Sequence, residues 1–121
     1  MSEVTKILGK AGEDCAANYL EAQGYRILAR NYRIREAEID IVAEKDGVIV
    51  FVEVKTRSNV RHGLPAEAVN FRKQNKIIKA ASVFLQEDNY ADCACRFDVI
   101  EIYSRGEFFE VRQIENAFEV I

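Results

Sequence analysis

Asp46-Gly47 lies between two runs of strand character, "AEIDIVAE" (37–44) and "VIVFVEVK" (48–55), and nothing else in the chain restricts its folding as tightly. Asp-Gly between such runs favours a two-residue hairpin turn, and a turn of fixed length fixes the register of both strands. Lys45 then faces Val48, Asp40 faces Glu53, and Glu38 faces Lys55. Cross-strand partners share a face, with Cβ atoms ~5 Å apart, so these four charged residues form one square at the far end of the hairpin. Six of the eight residues in the second run are apolar, four of them valine, as in the middle of a sheet. Charges there are costly unless paired or bound to an ion. Glu38 and Lys55 can pair, but Asp40 and Glu53 cannot, because like charges directly opposed destabilise a sheet. Three readings stay open: one carboxylate is protonated, a cation lies between the two, or the cluster sits at a sheet end facing solvent. Two carboxylates suit Mg²⁺ or Mn²⁺, which keep several waters for chemistry. A lysine beside such an ion can orient or deprotonate a water, or stabilise developing negative charge.

The rest of the chain supplies the frame. Residues 3–23 have helical periodicity in Val4, Ile7, Leu8, Ala11, Cys15 and Tyr19, and Gly24 ends the run. "YRILARNYR" (25–33) reads as a strand. Pro65 suits the first turn of a second helix reaching about Gln86, with a break near Asn70. "RFDVIEIY" (96–103) and "EFFEVRQI" (107–114) read as strands around Arg105-Gly106. Helix, three strands, helix, two strands predict an α/β domain with a mixed sheet, and 121 residues are the length of one domain, 1–121. No apolar run approaches the ~20 residues of a membrane span, and "MSEVTKILGK" lacks the apolar stretch of a signal peptide. Three cysteines, an odd number, fit a reducing cytoplasm. "CAC" at 93–95 has the wrong spacing for a zinc knuckle, and the single histidine, His62, has no partner ligand. Net charge is −3, but residues 56–79 carry +5 and residues 80–121 carry −6. A basic block of this kind is either a solvated surface or a nucleic-acid contact.

Asp on one strand followed by Glu-x-Lys on the next resembles the PD-(D/E)xK nuclease superfamily, whose fold is restriction-endonuclease-like: a mixed β-sheet flanked by helices. "GKAGEDCAANYLEAQGYRILARNYR", "AEIDIVA", "FVEVKTR", "EAVNFRKQNKI", "RFDVIEI" and "IENAF" are similar to one branch, the YraN family. Its members are small predicted endonucleases similar to archaeal Holliday junction resolvases. The resemblance covers nearly the whole chain. It implies a Mg²⁺- or Mn²⁺-dependent endonuclease that hydrolyses DNA, branched DNA among the candidates, and that works as a homodimer, as resolvase relatives do. Asp40 and Glu53 become metal ligands with the Val54 carbonyl as a third, and Lys55 becomes the catalytic lysine. Glu13 matches the acidic residue such nucleases place on their first helix, although it lies opposite the Val4–Ala11–Cys15 stripe. Glu38 matches the Glu of the usual "GEID", in which Ala37 replaces Gly. Lys73 lies at the end of the Ile77–Ala80–Phe84 stripe. It is either a plain surface lysine or the polar residue that the superfamily often points into its site from that helix.

Arg57, Arg61, His62, Arg72, Lys76 and Lys79 are read as phosphate contacts, which position a nucleic acid without reading its sequence. Arg30, Asn31, Arg33 and Arg35 flank the site from the other side, Arg30 and Asn31 with the alternative of local hydrogen bonding at a strand end. Arg96 and Asp98 are read as residues that pin the sheet. A second function class stays open, a catalytically silent nucleic-acid-binding module on the same fold.

Overall fold

The computed structural model describes residues 3–57 and 70–119, with side chains from residue 9 onward. Its elements are α1 (Glu3–Ala22), β1 (Arg26–Arg33), β2 (Glu38–Lys45), β3 (Val48–Arg57), α2 (Phe71–Glu87), β4 (Ala94–Arg105) and β5 (Phe108–Phe118). The strands form one five-stranded sheet in chain order. β3 and β4 pair in parallel and all other neighbours are antiparallel, so the sheet is mixed, as the element order predicts. A parallel pair needs a long crossover, and α2 lies within it.

Each helix covers one face. Ala16, Ala17 and Leu20 of α1 pack on Ile41, Ala43, Val50, Val52, Ile100 and Ile102. Ile77, Ala80, Ala81 and Phe84 of α2 pack on Val42, Ile49, Phe51, Phe97 and Val99. β3 contributes alternate residues to both clusters, which explains its near-continuous apolar sequence. No helix among the described residues is long and apolar enough to cross a membrane.

Local chemistry sets the element ends. Gly24, at φ +94°, closes α1, with Tyr25 N–H donating to the Leu20 carbonyl and Gly24 N–H to that of Glu21, both at 3.0 Å; this is a Schellman cap. Asp46 and Gly47 both have positive φ, 53° and 80°, as a type I′ turn requires, and Lys45 faces Val48 as expected. α2 spans Phe71–Glu87 and begins where the sequence suggests a break near Asn70: the Asn70 side chain caps it by accepting from Lys73 N–H at 2.9 Å. The expected first turn at Pro65 lies outside the described residues.

Asp98, fully buried on β4, accepts from Arg96 Nε at 2.9 Å and Nη2 at 3.0 Å, from Gln113 Nε2 at 2.9 Å and from Asn116 N–H at 3.1 Å. Arg96 also donates to Tyr25 Oη at 2.8 Å. The pair ties β4, β5 and the end of α1 together.

At Gly12, α1 lies close against β3. A Cβ there would lie 2.1 Å from Thr56 Oγ1 and 3.3 Å from Thr56 Cβ. Rotating Thr56 relieves the first contact and leaves the second. Gly12→Ala should therefore destabilise the fold by about 1–3 kcal/mol in urea unfolding, and adding Thr56→Ala should recover most of the loss. A Gly12→Ala protein as stable as wild type would show that α1 can move away from β3 at no cost.

Candidate active site

The hairpin register runs from the turn to Ile41–Val52. Beyond that pair a side chain takes over from the backbone: Asp40 Oδ2 accepts from Val54 N–H at 2.7 Å. Asn31, whose φ is +53°, lies between the Arg30–Ile41 and Tyr32–Ile39 pairs of β1 and β2, and so across from Asp40. At the same level β2 changes face, since Ile41 packs under α1 and Ile39 with the α2 cluster. The expected four-residue square is therefore altered. Glu38 does not pair with Lys55; it accepts from Arg33 Nη2 at 2.7 Å, because the strands have left strict pairing before they reach it. Val54 engages the cluster through its amide.

Glu53, 7% exposed, is the centre of the cluster. Its Oε1 accepts from Lys73 Nζ at 2.5 Å and lies 3.4 Å from Lys55 Nζ. The first turn of α2 thus brings the Lys73 ammonium against Glu53 while its side chain stays 40% exposed. Burial and the neighbouring Glu53 charge push Asp40 up to about 7, against the Val54 hydrogen bond, with Glu13 adding to the rise. The two lysines diverge. Burial and Lys73 hold Lys55 below its ordinary value, against the pull of Glu53. Burial also opposes charge on Lys73, but its bond to Glu53 outweighs that and raises it. Two cations converging on one carboxylate cannot both be equally compensated, and Lys55 is the one that gives up its proton more readily.

On the other side of Asp40, Asn31 links two more acids. With its amide oriented as its neighbours require, Nδ2 donates to Glu13 Oε1 and Glu38 Oε1, each at 3.1 Å. Burial raises Glu13, Arg30 opposes that rise, and Glu38 adds to it. Asn31 is exposed on β1 and bridges the two acids there. Its sequence signal was an Asn inside a strand pattern, a residue that tolerates positive φ.

The basic residues divide by partner. Arg30 pairs with Asp14 at 2.7 Å, Lys79 with Glu36 at 3.1 Å, and Arg57 approaches the buried Glu101 at 3.7 Å. Arg35 is exposed. Arg72 and Lys76 line a recess of about 550 Å³ with Glu36, Ala37, Glu38, Asn70, Lys73 and Ile77. It opens beside Lys73 and so adjoins Glu53. Arg61 and His62 lie outside the described residues.

Among the described residues, no three Asp, Glu, His or Cys side chains converge closely enough to hold a metal ion. The donor chemistry still suits a hard divalent cation. Mg²⁺ is commonly bound through one or two carboxylates with the remaining positions taken by water, and the half-buried Asp40 and the buried Glu53 are two carboxylates in mutual repulsion.

These features define a mixed α/β domain with an acid–lysine site at the end of its central strand. The chain belongs to the uncharacterised protein family UPF0102, whose model matches residues 12–102. A UPF0102 protein of Caldanaerobacter subterraneus is 47% identical over 116 residues, covering 93% of this chain and 95% of the relative. One of Prosthecochloris aestuarii is 45% identical over 124 aligned residues, covering 98% of each. Among solved structures, Pyrococcus furiosus SfsA in complex with Ca²⁺ is similar at a TM-score of 0.43 and 18% identity, over 96% of this chain and 65% of that one. That likeness is too distant to bear on activity.

The raised Asp40 has a measurable consequence. Its folded value of about 7 lies above the ordinary 3.8, so stability from this group is fully present below about pH 4 and is lost as pH rises through 7. Asn keeps the acceptor for Val54 N–H and carries no charge. Without divalent ions, Asp40→Asn should therefore gain on wild type by up to about 4 kcal/mol between pH 4 and pH 8, read from paired urea titrations. A difference that stays constant across that range would mean Asp40 is ionised without cost.

Proposed function

We propose that this protein is a divalent-metal-dependent nuclease of the PD-(D/E)xK type that hydrolyses a phosphodiester bond in DNA. The observation that carries the reading is the convergence on Glu53 of Lys55 and Lys73, shifted in opposite directions, beside an Asp40 pushed up to about 7. Perturbed groups clustered beside a recess are what acid–base chemistry requires. Arg72 and Lys76 give that recess a cationic wall for a backbone phosphate.

Asp40 and Glu53 would hold Mg²⁺ or Mn²⁺, which supplies Lewis acidity and an activated water when bound. Lys55, held below its ordinary value, is suited to take a proton from the attacking water or to face the charge developing on phosphorus. Lys73, held protonated by Glu53, keeps that carboxylate in place and balances charge across the recess. Glu13 and Glu38, joined through Asn31, fix the acidic wall behind Asp40. The silent-module reading draws on one observation: Lys73 already bonds to Glu53 at 2.5 Å, so the carboxylate has a partner without an ion.

Two measurements test the proposal. Mg²⁺ or Mn²⁺ should raise the wild-type melting temperature at pH 8, and Asp40→Asn should abolish most of that response; a wild type indifferent to both ions rules out the metal site. In a cleavage screen over linear, flapped and four-way DNA, Lys55→Ala should lower the rate about 10²–10⁴-fold while DNA affinity and the metal response persist. Wild type that binds DNA and never cuts it with either ion would establish the silent module instead.

A further inference from the structure

Beyond Lys55, the same face of the sheet carries a second buried acid. Glu101 on β4 is fully buried and is the register partner of Lys55, as Tyr103 is of Arg57. Tyr103 donates its hydroxyl to Glu101 Oε1. Arg57 Nε sits 3.7 Å from Glu101 Oε2, and both atoms are buried with no hydrogen-bond partner. The contrast with Arg96–Asp98 on the same strand is informative. That structural pair is bidentate, at 2.9 and 3.0 Å, as an arginine whose task is to neutralise a buried acid should be. Arg57 is held loosely, by its Nε edge, and its side chain remains 23% exposed. Its two Nη nitrogens are the donors that Glu101 does not engage.

Position suggests what those donors are for. Lys55 and Arg57 are two residues apart on β3 and share a face, a rise of about 6.7 Å. That is comparable to the separation of neighbouring phosphates along one nucleic-acid strand. We propose that Arg57 binds the phosphate next along the strand from the one Lys55 faces, and that Glu101 and Tyr103 are positioning residues that aim it. This rests on the nuclease reading of Lys55 and narrows its substrate to a strand with at least two consecutive phosphates. Arg57 here belongs to the site, whereas a purely structural Arg57 would serve only to neutralise Glu101.

A double-mutant cycle separates the two roles, with melting temperature and affinity for short fluorescein-labelled DNA and RNA as readouts. Arg57→Gln removes the guanidinium paired with the buried Glu101 and leaves it only the more remote Arg112, its cross-strand neighbour, whose guanidinium lies over the Tyr103 ring at 5.3 Å, so it should lower both stability and affinity, the latter about tenfold at low salt. Adding Glu101→Gln removes the stranded charge while Tyr103 keeps its acceptor. The double variant should therefore melt near wild type yet still bind weakly, with a salt slope smaller by about one. Recovery of affinity together with stability would overturn the proposal, and so would a wild type that binds neither DNA nor RNA. A wild type that binds without cutting, with the same split between stability and affinity, would support this assignment and defeat the hydrolytic one.

Discussion

Everything in this structure depends on β3 being enclosed. It pairs with β2 on one side and with β4 over ten residues on the other, and α1 and α2 close its two faces. A strand so placed is buried from Ile49 to Glu53 and half-buried beyond, so a charge on it needs a partner within the fold. Glu53 finds Lys73 and Lys55, Arg57 finds Glu101, and the Val54 amide finds Asp40. The polar network at this end of the sheet follows from extending a buried strand past the cover of its helices. α2 begins at Phe71, leaving its first turn to supply Lys73.

The molecule holds buried acids of two kinds. Asp98 receives four hydrogen bonds from three residues, and its donors are fixed by the β4–β5 pairing. Such an acid makes the fold specific and has nothing left to offer a ligand. Asp40, Glu53 and Glu101 are partnered instead by lysine ammonium groups, one backbone amide, a tyrosine hydroxyl and a distant guanidinium. Those partners leave electrostatic demand unmet, which appears as the raised Asp40, the depressed Lys55 and the orphaned Glu101 Oε2. Sites that act on ligands are where folds tolerate such cost.

The legible part of the sequence was local and periodic. Asp46-Gly47 specified a two-residue turn, and the register followed from it as far as Ile41–Val52. The order of elements followed from apolar periodicity, and Arg96 and Asp98 were recognisable as sheet-pinning residues. What stayed hidden depended on geometry that pattern does not encode. Extrapolating the register to Asp40–Glu53 and Glu38–Lys55 failed because positive φ at Asn31 and the Asp40–Val54 bond end regular pairing at Ile41–Val52. Glu13 could not be chosen from a helical wheel, because its partner is Asn31, on another element. Gly12 looked like any glycine in a helix until Thr56 was found 2.1 Å from where its Cβ would be.

Family membership alone says little about chemistry, since a fold can host many activities and an uncharacterised family names none. The stronger argument is how charge is ordered along the site face. Moving along β3 from the core, Phe51 is followed by Glu53, Lys55 and Arg57 on one side of the strand. The sequence passes from apolar through an anion to two cations of increasing distance from the core. On the proposed nuclease reading, the ligand that meets this gradient is polyanionic along its length, with its most deeply inserted anion near Glu53. Two anions cannot approach closely unless a cation stands between them, and the lysines beside Glu53 meet only part of that need, because one is already committed to the carboxylate and the other resists charge. On the proposed nuclease reading, the polyphosphate strand therefore enters together with a divalent ion and neither enters alone.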